Sequence, residues 1–225
     1  MGLLGKGILA FWADIAPGGE AEYNHWHSRE HIPERVGIAG FLRGRRYVAA
    51  SGSPRYLMFY ETETVETLAS PAYLARLNDP TPWTRRMLPL FRNNNRTVFR
   101  VTLSLGQGVG GAMATLRLGP LGDREGELRA WLTGTTLPAL IERPGVVGAH
   151  LGEADLSATR VPTEERKLRD REDEVARWVV LVEGADSEAV ETACRDHLSP
   201  EALGRRGASP ETALGVYRLL YCLSR

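Results

Sequence analysis

Three of the five histidines lie within seven residues, at His25, His27 and His31, and two acids, Glu30 and Glu34, lie among them. On a helix, residues four apart share a face, so His27 and His31 are neighbours and Glu30 lies one turn from His27. Imidazole is the side chain that titrates near neutral pH, and a nearby carboxylate sets its pKa. The cluster therefore predicts general acid–base chemistry, with His31, His27 and Glu30 as the catalytic residues.

Acid–base chemistry of this kind suits proton abstraction, cyclisation, isomerisation, dehydration or decarboxylation of a small aromatic or polyketide-like substrate, without a cofactor. Two alternatives remain open. His27 and His31, with a carboxylate, have the spacing of ligands to a divalent metal. The pocket could also be a non-catalytic site for an apolar ligand. Aromatic residues that could line it are Tyr23, Trp26, Trp12, Tyr56, Tyr60, Phe59 and Trp83.

Composition excludes several classes of function. The 225 residues carry 28 Lys+Arg and 28 Asp+Glu, so no basic excess attracts nucleic acid or an anionic membrane. No apolar run approaches the roughly 18 residues of a membrane span. The first residues are typical of a strand rather than a signal peptide, and Cys194 and Cys222 are expected to be core residues. We expect a cytoplasmic protein with a small-molecule partner, as a monomer or weak homodimer.

Hydrophobic patterning predicts the elements that position the cluster. A strand at 7–15 precedes a helix from Glu20 to about Arg35, with a kink or an end near Ile32 because Pro33 does not fit a helix interior. Strands at 41–49 and 55–61, a helix at 64–77, and a strand at 96–105 follow. The order βαββαβ is typical of ferredoxin-like folds.

The same order then repeats. A shift of 105 residues places Glu22 on Glu127, Trp26 on Trp131, Pro33 on Pro138 and Gly40 on Gly145. The fold class predicted is α+β: two tandem ferredoxin-like units, residues 1–106 and 107–225, forming an intramolecular pseudo-dimeric α+β barrel. The second unit carries a charged insertion at 154–174, which is either a solvated segment or a lid over a neighbouring cleft.

The repeat also indicates which unit carries the site. His27 aligns with Leu132, Glu30 with Thr135 and His31 with Thr136. Polar groups thus replace less polar ones on a face that is expected to be buried, where they cost stability unless they are hydrogen-bonded. We therefore expect a pocket in the first unit only. His25 aligns with Ala130 and is expected at the surface.

One motif resembles a known group of proteins. Trp26, then His31-Ile32-Pro33-Glu34-Arg35, then Gly40-Phe41 and Arg45-Arg46-Tyr47 are similar to the dimeric α+β-barrel superfamily and, within it, to EthD-like and related bacterial tandem-barrel proteins. The resemblance implies a pocket between the helices and the sheet of one unit. The superfamily includes monooxygenases, haem-degrading enzymes, isomerases, cyclases and decarboxylases, so it also implies haem-dependent oxygenation as an alternative to cofactor-free chemistry.

Overall fold

The computed structural model describes residues 2–169 and 171–225. The strands are β1 Gly7–Ile15, β2 Phe41–Ser51, β3 Tyr56–Thr62, β4 Phe91–Gly106, β5 Ala112–Leu118, β6 Val146–Ala154, β7 Trp178–Gly184 and β8 Ala213–Ser224. The helices are α1 Glu20–Trp26, α2 Ile32–Val36, α3 Pro71–Asn78, α4 Pro82–Met87, α5 Glu125–Trp131, α6 Leu137–Ile141, α7 Leu156–Thr159, α8 Glu164–Lys167, α9 Ser187–His197 and α10 Pro200–Arg205. In this part of the chain, no helix is long and apolar enough to cross a bilayer.

The eight strands form one closed barrel in the order β1-β3-β2-β8-β5-β7-β6-β4, and all pairs are antiparallel. Strands β1 to β4 are contiguous in this order, as are β5 to β8. The β2–β8 and β4–β6 pairs close the barrel between the two groups. An α+β fold with an antiparallel barrel, predicted from the sequence, is therefore confirmed.

Side chains alternate between the barrel interior and the helices, as strand geometry requires. On β1, Phe11 and Ala13 belong to the core under the first helices, whereas Ala10 and Trp12 lie in the interior core. The indole Nε1 of Trp12 donates a hydrogen bond to Thr115 Oγ1 across the barrel at 3.1 Å. Trp12 therefore faces away from the histidine cluster, and the prediction that it lines the same pocket is wrong.

The helix predicted from Glu20 to Arg35 has a wider turn in its middle. Residues His27–His31 are π-helical, and the Ile32 N–H donates to the His27 carbonyl five residues back. Pro33 explains this wider turn, because proline has no N–H to donate to the helical hydrogen-bond pattern. The second unit has the same π-helical turn at Leu132–Thr136, ahead of Pro138. The wide turn is thus a property of the fold, and the histidines are particular to the first unit.

The helix predicted at 64–77 is also interrupted. Val65–Ala69 form a 3₁₀ turn, and α3 begins only at Pro71. The hydroxyl of Ser70 accepts a hydrogen bond from the Tyr73 N–H, which makes it the N-cap of α3. Pro71, at the first helical position, then fixes where α3 begins. The apolar pattern of this segment does not reveal that starting point.

The charged insertion of the second unit packs on the first unit. Thr159 Oγ1 accepts a hydrogen bond from the Val98 N–H of β4, and Asn78 Oδ1, at the end of α3, accepts one from the Glu164 N–H. Glu165 and Arg169 are buried. We call residues 163–169 the strap. Its two buried charges distinguish it from a solvated segment and place it over the helix-facing core of the first unit.

A charged network lies inside the barrel. Arg45 is fully buried and donates to both carboxylate oxygens of Glu183, at 2.8 and 3.2 Å. It also pairs with Glu61 at 2.9 Å, and Arg43 donates to Glu61 at 2.7 Å. His150 Nε2 lies 3.6 Å from Glu183. The contact with Arg45 holds the buried Glu183 carboxylate in its charged form, because it lowers the pKa of this group.

The network makes stability depend on pH. Burial alone would raise the pKa of Glu183, but Arg45 and His150 together outweigh it and lower this pKa from 4.5 to about 2. Because the pKa of Glu183 is lower in the folded protein than in the unfolded chain, the charged carboxylate stabilises the fold at pH values above about 4.5. This stabilisation is lost as the pH falls from 4.5 towards 2. We expect the urea midpoint of the wild type to fall across this range more steeply than that of Glu183→Gln. A constant difference between the two proteins would contradict the assignment.

Candidate functional site

The two histidines of the π-helical turn stack on each other. The rings of His27 and His31 have centroids 5.3 Å apart and planes inclined by 29°. His27 is fully buried and His31 is half-buried. The hydroxyl of Tyr60, on β3, lies 3.4 Å from His27 Nε2. Tyr60, His27 and His31 therefore form a row that runs from the sheet outward through the helix.

Aromatic side chains surround this row. The Trp26 ring lies 4.4 Å from that of His31, and the Tyr23 ring lies 5.4 Å from that of His27. Phe91, at the start of β4, packs edge-on against both Tyr23 and Trp26. These groups leave the two imidazoles in a mostly apolar setting, where a charged imidazolium is disfavoured.

A small cavity of about 30 Å³ lies beside His31. Its wall includes Leu9, Phe11, Trp26, His31, Arg35, Met58, Tyr60, Tyr73, Leu88, Phe91, Arg96, Glu165 and Arg169. The volume equals about one water's share of the liquid. Three of the predicted residues, His31, Trp26 and Tyr60, therefore meet at one cavity between the helices and the sheet of the first unit.

Both histidines are held neutral. Burial lowers the pKa of His31 well below its ordinary value, and the charges of Arg35, Arg169 and Arg96 lower it further. Burial likewise lowers the pKa of His27, with additional effects of Arg46 and Arg35. Each ring is therefore an uncharged base at pH 7. His31 Nδ1 is buried without a hydrogen-bond partner among the described residues, so its capacity to bind a proton or a polar group is unused.

Tyr60 is held in its protonated form. Burial raises the pKa of its hydroxyl well above the ordinary value, despite the opposing charge of Arg35. The hydroxyl lies at hydrogen-bond distance from His27 Nε2. In the tautomer in which Nε2 carries the proton and donates to the phenol oxygen, the Tyr60 O–H is left to donate to a ligand in the cavity.

Glu30 does not contact the histidines, contrary to the expectation from helical spacing. Its Oε1 accepts hydrogen bonds from Trp26 Nε1 at 3.2 Å and from Thr81 Oγ1 at 2.6 Å, and Thr84 Oγ1 donates to it at 3.3 Å. The hydroxyls at the N-terminal end of α4 provide these donors, which the spacing along α1 does not show. Glu30 thus fixes the indole that forms part of the cavity wall.

Besides Trp12, four of the predicted lining residues lie outside the cavity: Tyr23, Tyr56, Phe59 and Trp83. Phe59 belongs to the core inside the barrel, with the Arg45 guanidinium over its ring. Tyr23 is buried behind His27, and the Tyr56 hydroxyl donates to Glu20 Oε2 at 3.3 Å. Trp83 is on the outer side of α1, where its Nε1 donates to Glu22 Oε1 at 3.1 Å. It packs edge-on against His25, which is exposed as expected. Pattern alone does not separate these aromatic residues from Trp26 and Tyr60.

Four charged residues of the site are additional to the sequence prediction. Arg35 donates to Glu165 of the strap, and both side chains are buried. Arg169 donates to both carboxylate oxygens of Asp173, at 2.8 and 2.6 Å, and lies over the ring of Phe11. Arg96 donates to the Tyr73 hydroxyl at 3.0 Å. Of these four residues, Arg35 is the one that the sequence could have associated with the cluster, because it lies four positions after His31. The strap residues Glu165 and Arg169 are 130 or more positions from Arg35 in the sequence.

The residues do not fit a shared metal or a haem. Stacked imidazoles direct their in-plane lone pairs side by side, so His27 and His31 cannot converge on one ion. No group of three or more His, Cys, Asp or Glu able to hold a metal occurs in residues 2–169 and 171–225. With the strap in its place, the cavity of about 30 Å³ also has no space for a macrocycle. No step of the chemistry below is therefore assigned to either group.

No family model and no curated protein matches the chain. Solved structures do. An anthrone oxidase-like protein is 16% identical, with a TM-score of 0.65 over 97% of this chain and 92% of that one. A haem-binding protein from Thermus thermophilus is 12% identical, with a TM-score of 0.54 over 96% and 92%. A ferredoxin-fold protein from Listeria monocytogenes, related to antibiotic biosynthesis monooxygenases, is 12% identical, with a TM-score of 0.50 over 97% of both chains. At these identities the likeness shows a ferredoxin-like α+β barrel fold and nothing further.

Proposed function

We propose that the first unit is a cofactor-independent enzyme in which His31 removes a proton from a small aromatic or polyketide-like carbon acid. The observation that carries the proposal is a neutral imidazole at the wall of a small cavity, with a buried Nδ1 that has no hydrogen-bond partner among the described residues. Because the pKa of this imidazole is lowered, it is unprotonated at pH 7 and can accept a proton without first losing one. His27 and Tyr60, in contact behind it, orient the ring and disperse the positive charge that develops.

In this mechanism, His31 takes the proton from a C–H bond next to a carbonyl, and the electron pair passes to the carbonyl oxygen. The resulting enolate is stabilised by donors already in place at the wall, namely the Tyr60 hydroxyl and the Arg96 guanidinium. Return of the proton to another atom completes an isomerisation or allows a cyclisation. Trp26, held by Glu30, supports the flat face of an aromatic substrate.

A second outcome shares the first step. The names of two similar structures, anthrone oxidase-like and related to monooxygenases, favour reaction of the enolate with dioxygen. The carbanion carbon forms a bond to O₂, the proton on His31 passes to the distal oxygen, and the hydroperoxide loses water. For anthrone, the balance is anthrone plus O₂ giving anthraquinone plus water. No metal is needed when the substrate anion itself supplies the electrons.

The test uses anthrone as the probe. Under argon in D₂O, we expect the protein to accelerate exchange of the methylene protons of anthrone above the rate without protein. In air, oxygen uptake that matches anthraquinone formation assigns oxygenation, and exchange without oxygen uptake assigns proton transfer alone.

The remaining outcome is the alternative of a non-catalytic binder. Calorimetric binding of anthrone with no acceleration of exchange would contradict catalysis by His31 and favour that alternative. Acceleration that persists undiminished in His31→Gln would assign the chemistry to another group.

We further propose that the barrel arose by tandem duplication of a ferredoxin-like unit, giving a pseudo-dimer of residues 1–106 and 107–225. We also propose that the chain is related to EthD-like and similar bacterial tandem-barrel proteins. The strand orders β4-β1-β3-β2 and β8-β5-β7-β6, read around the barrel, support duplication, as does the π-helical turn at the same offset in both units. The motif around His31 supports the EthD-like relation. Superposition of the two units, with equivalent residues 105 apart in the first helices, tests the duplication.

A further inference from the structure

The cavity of the first unit contains a carboxylate from the second unit. Glu165, on the strap, is buried and accepts a hydrogen bond from the guanidinium of Arg35. Arg35 is four residues beyond His31 and is also buried, with Glu34 as its second partner at 3.1 Å. The strap thus places a negative charge in the space where a substrate would lie beside His31.

Positive charge at the cavity wall exceeds what the strap neutralises. The wall contains Arg35, Arg96 and Arg169 but one carboxylate, Glu165. Arg169 is matched by Asp173 outside the wall. No carboxylate within the described ranges lies at ion-pair distance from Arg96, whose guanidinium donates a hydrogen bond to the neutral Tyr73 hydroxyl. Arg35 lies 5.9 Å from the centre of the same tyrosine ring, so both guanidinium groups are adjacent to Tyr73.

We propose that the ligand of this site is a small organic carboxylate that replaces Glu165 on Arg35, with Arg96 as its second cation, while the strap moves outward. The proposal rests on the proposed function, of whose substrate it names the class: an aromatic carbon acid that also bears a carboxylate. Exchange of one carboxylate for another keeps both sides of the buried guanidinium paired, whereas a neutral ligand would leave Arg35 with Glu34 alone among its described carboxylate partners.

The volumes support displacement of the strap. The cavity beside His31 measures about 30 Å³, and a second cavity of about 10 Å³ lies next to it. Neither holds an aromatic molecule. The two share Arg96, Glu165 and Arg169 in their walls, so outward movement of the strap joins them and opens them together. The strap makes few anchoring bonds, among them those of Glu165 with Arg35 and of Asn78 with the Glu164 N–H.

The test measures binding of benzoate and of benzyl alcohol, its neutral analogue, by titration calorimetry. We expect benzoate to bind and benzyl alcohol to bind at least about tenfold more weakly, the effect of losing a charge-assisted hydrogen bond. Glu165→Gln removes the competing charge and should tighten benzoate binding about tenfold or more. Arg96→Gln, which breaks no ion pair of the described residues, should weaken it by a similar factor.

Glu164→Gln is the matched control. Glu164 is the neighbouring carboxylate of the strap, but it pairs with the exposed Lys167 and lies outside both cavity walls. Its substitution should leave benzoate affinity unchanged. In the wild type, amide hydrogen exchange over 163–169 should become faster when benzoate is present, since the strap leaves its place. Slower exchange there would contradict displacement.

The proposal is overturned if benzyl alcohol binds as tightly as benzoate, if Arg96→Gln leaves benzoate binding unchanged, or if Glu164→Gln acts as strongly as Glu165→Gln. Should Glu165→Gln fail to fold, the first two comparisons still decide. These measurements need no turnover. Benzoate binding as expected, without proton exchange from either anthrone or an anthrone that carries a carboxylate, rejects the proposed function alone. Exchange without carboxylate preference rejects the present inference alone.

Discussion

Replacing His31 by glutamine is expected to lower the turnover of the first-unit site by about 10²- to 10⁴-fold, the usual effect of losing an acid–base group. Glutamine keeps a polar side chain of similar size but cannot accept a proton at neutral pH. Because His31 is half-buried and its Nδ1 makes no hydrogen bond with the described residues, we expect the melting temperature to change little. Turnover of anthrone and the thermal unfolding curve should be measured on the same preparation.

Thr136→Ala is the control for this prediction. Thr136 occupies the place of His31 in the π-helical turn of the second unit and is buried. Its substitution should leave turnover nearly unchanged while subjecting the fold to a comparable local alteration. If His31→Gln retains full turnover, the reactive site lies elsewhere. If His31→Gln instead lowers the melting temperature by several degrees, His31 is a structural residue.

Replacing Arg45 by methionine is expected to destabilise the fold by about 3–5 kcal/mol, because its removal leaves the buried Glu183 carboxylate without its arginine partner. Arg45 has no exposed surface and is the link between Glu61 and Glu183, which come from different halves of the barrel. Urea unfolding monitored by circular dichroism measures the effect. Methionine keeps most of the side-chain volume, so cavity formation contributes little.

Arg100→Met is the matched control for a surface ion pair. Arg100 is 53% exposed and pairs with Glu66 and Asp155. Pairs of this kind contribute about 0–1 kcal/mol. An Arg45→Met variant within about 1 kcal/mol of the wild type would show that the interior network is dispensable for stability.

The sequence carries enough information for the architecture because the fold uses regular patterns. Apolar runs such as 7–15 and 56–62 give the strands, and Pro33 marks the irregular turn of the first helix. The repeat at 105 residues then relates the two helices, and it singled out His27 and His31 as the polar positions. Their adjacency survives the π-helical turn, since the rings stack at 5.3 Å.

Contacts between distant segments were beyond this reasoning. Spacing along one helix assigned Glu30 to His27, but the hydroxyls of Thr81 and Thr84, more than 50 residues away, bind that carboxylate instead. Similarly, Trp12 is remote from the site because its side chain lies on the face of β1 that points into the barrel. The sequence of a single strand does not show which of its faces is the interior one. The strap is the largest addition: its charges suggested solvent exposure, yet Glu165 and Arg169 are buried because arginine and aspartate partners are provided by the fold.

The most direct measurement is the protonation state of His31 itself. Nitrogen-15 imidazole signals can be assigned by their loss in His31→Gln and followed in the ligand-free protein as the pH is lowered. Because burial and Arg35, Arg169 and Arg96 all lower the pKa of His31, we expect it to remain neutral at pH values where an ordinary histidine is already charged. Half-protonation at about 6.5 or above would contradict the account of His31 as a buried, neutral base.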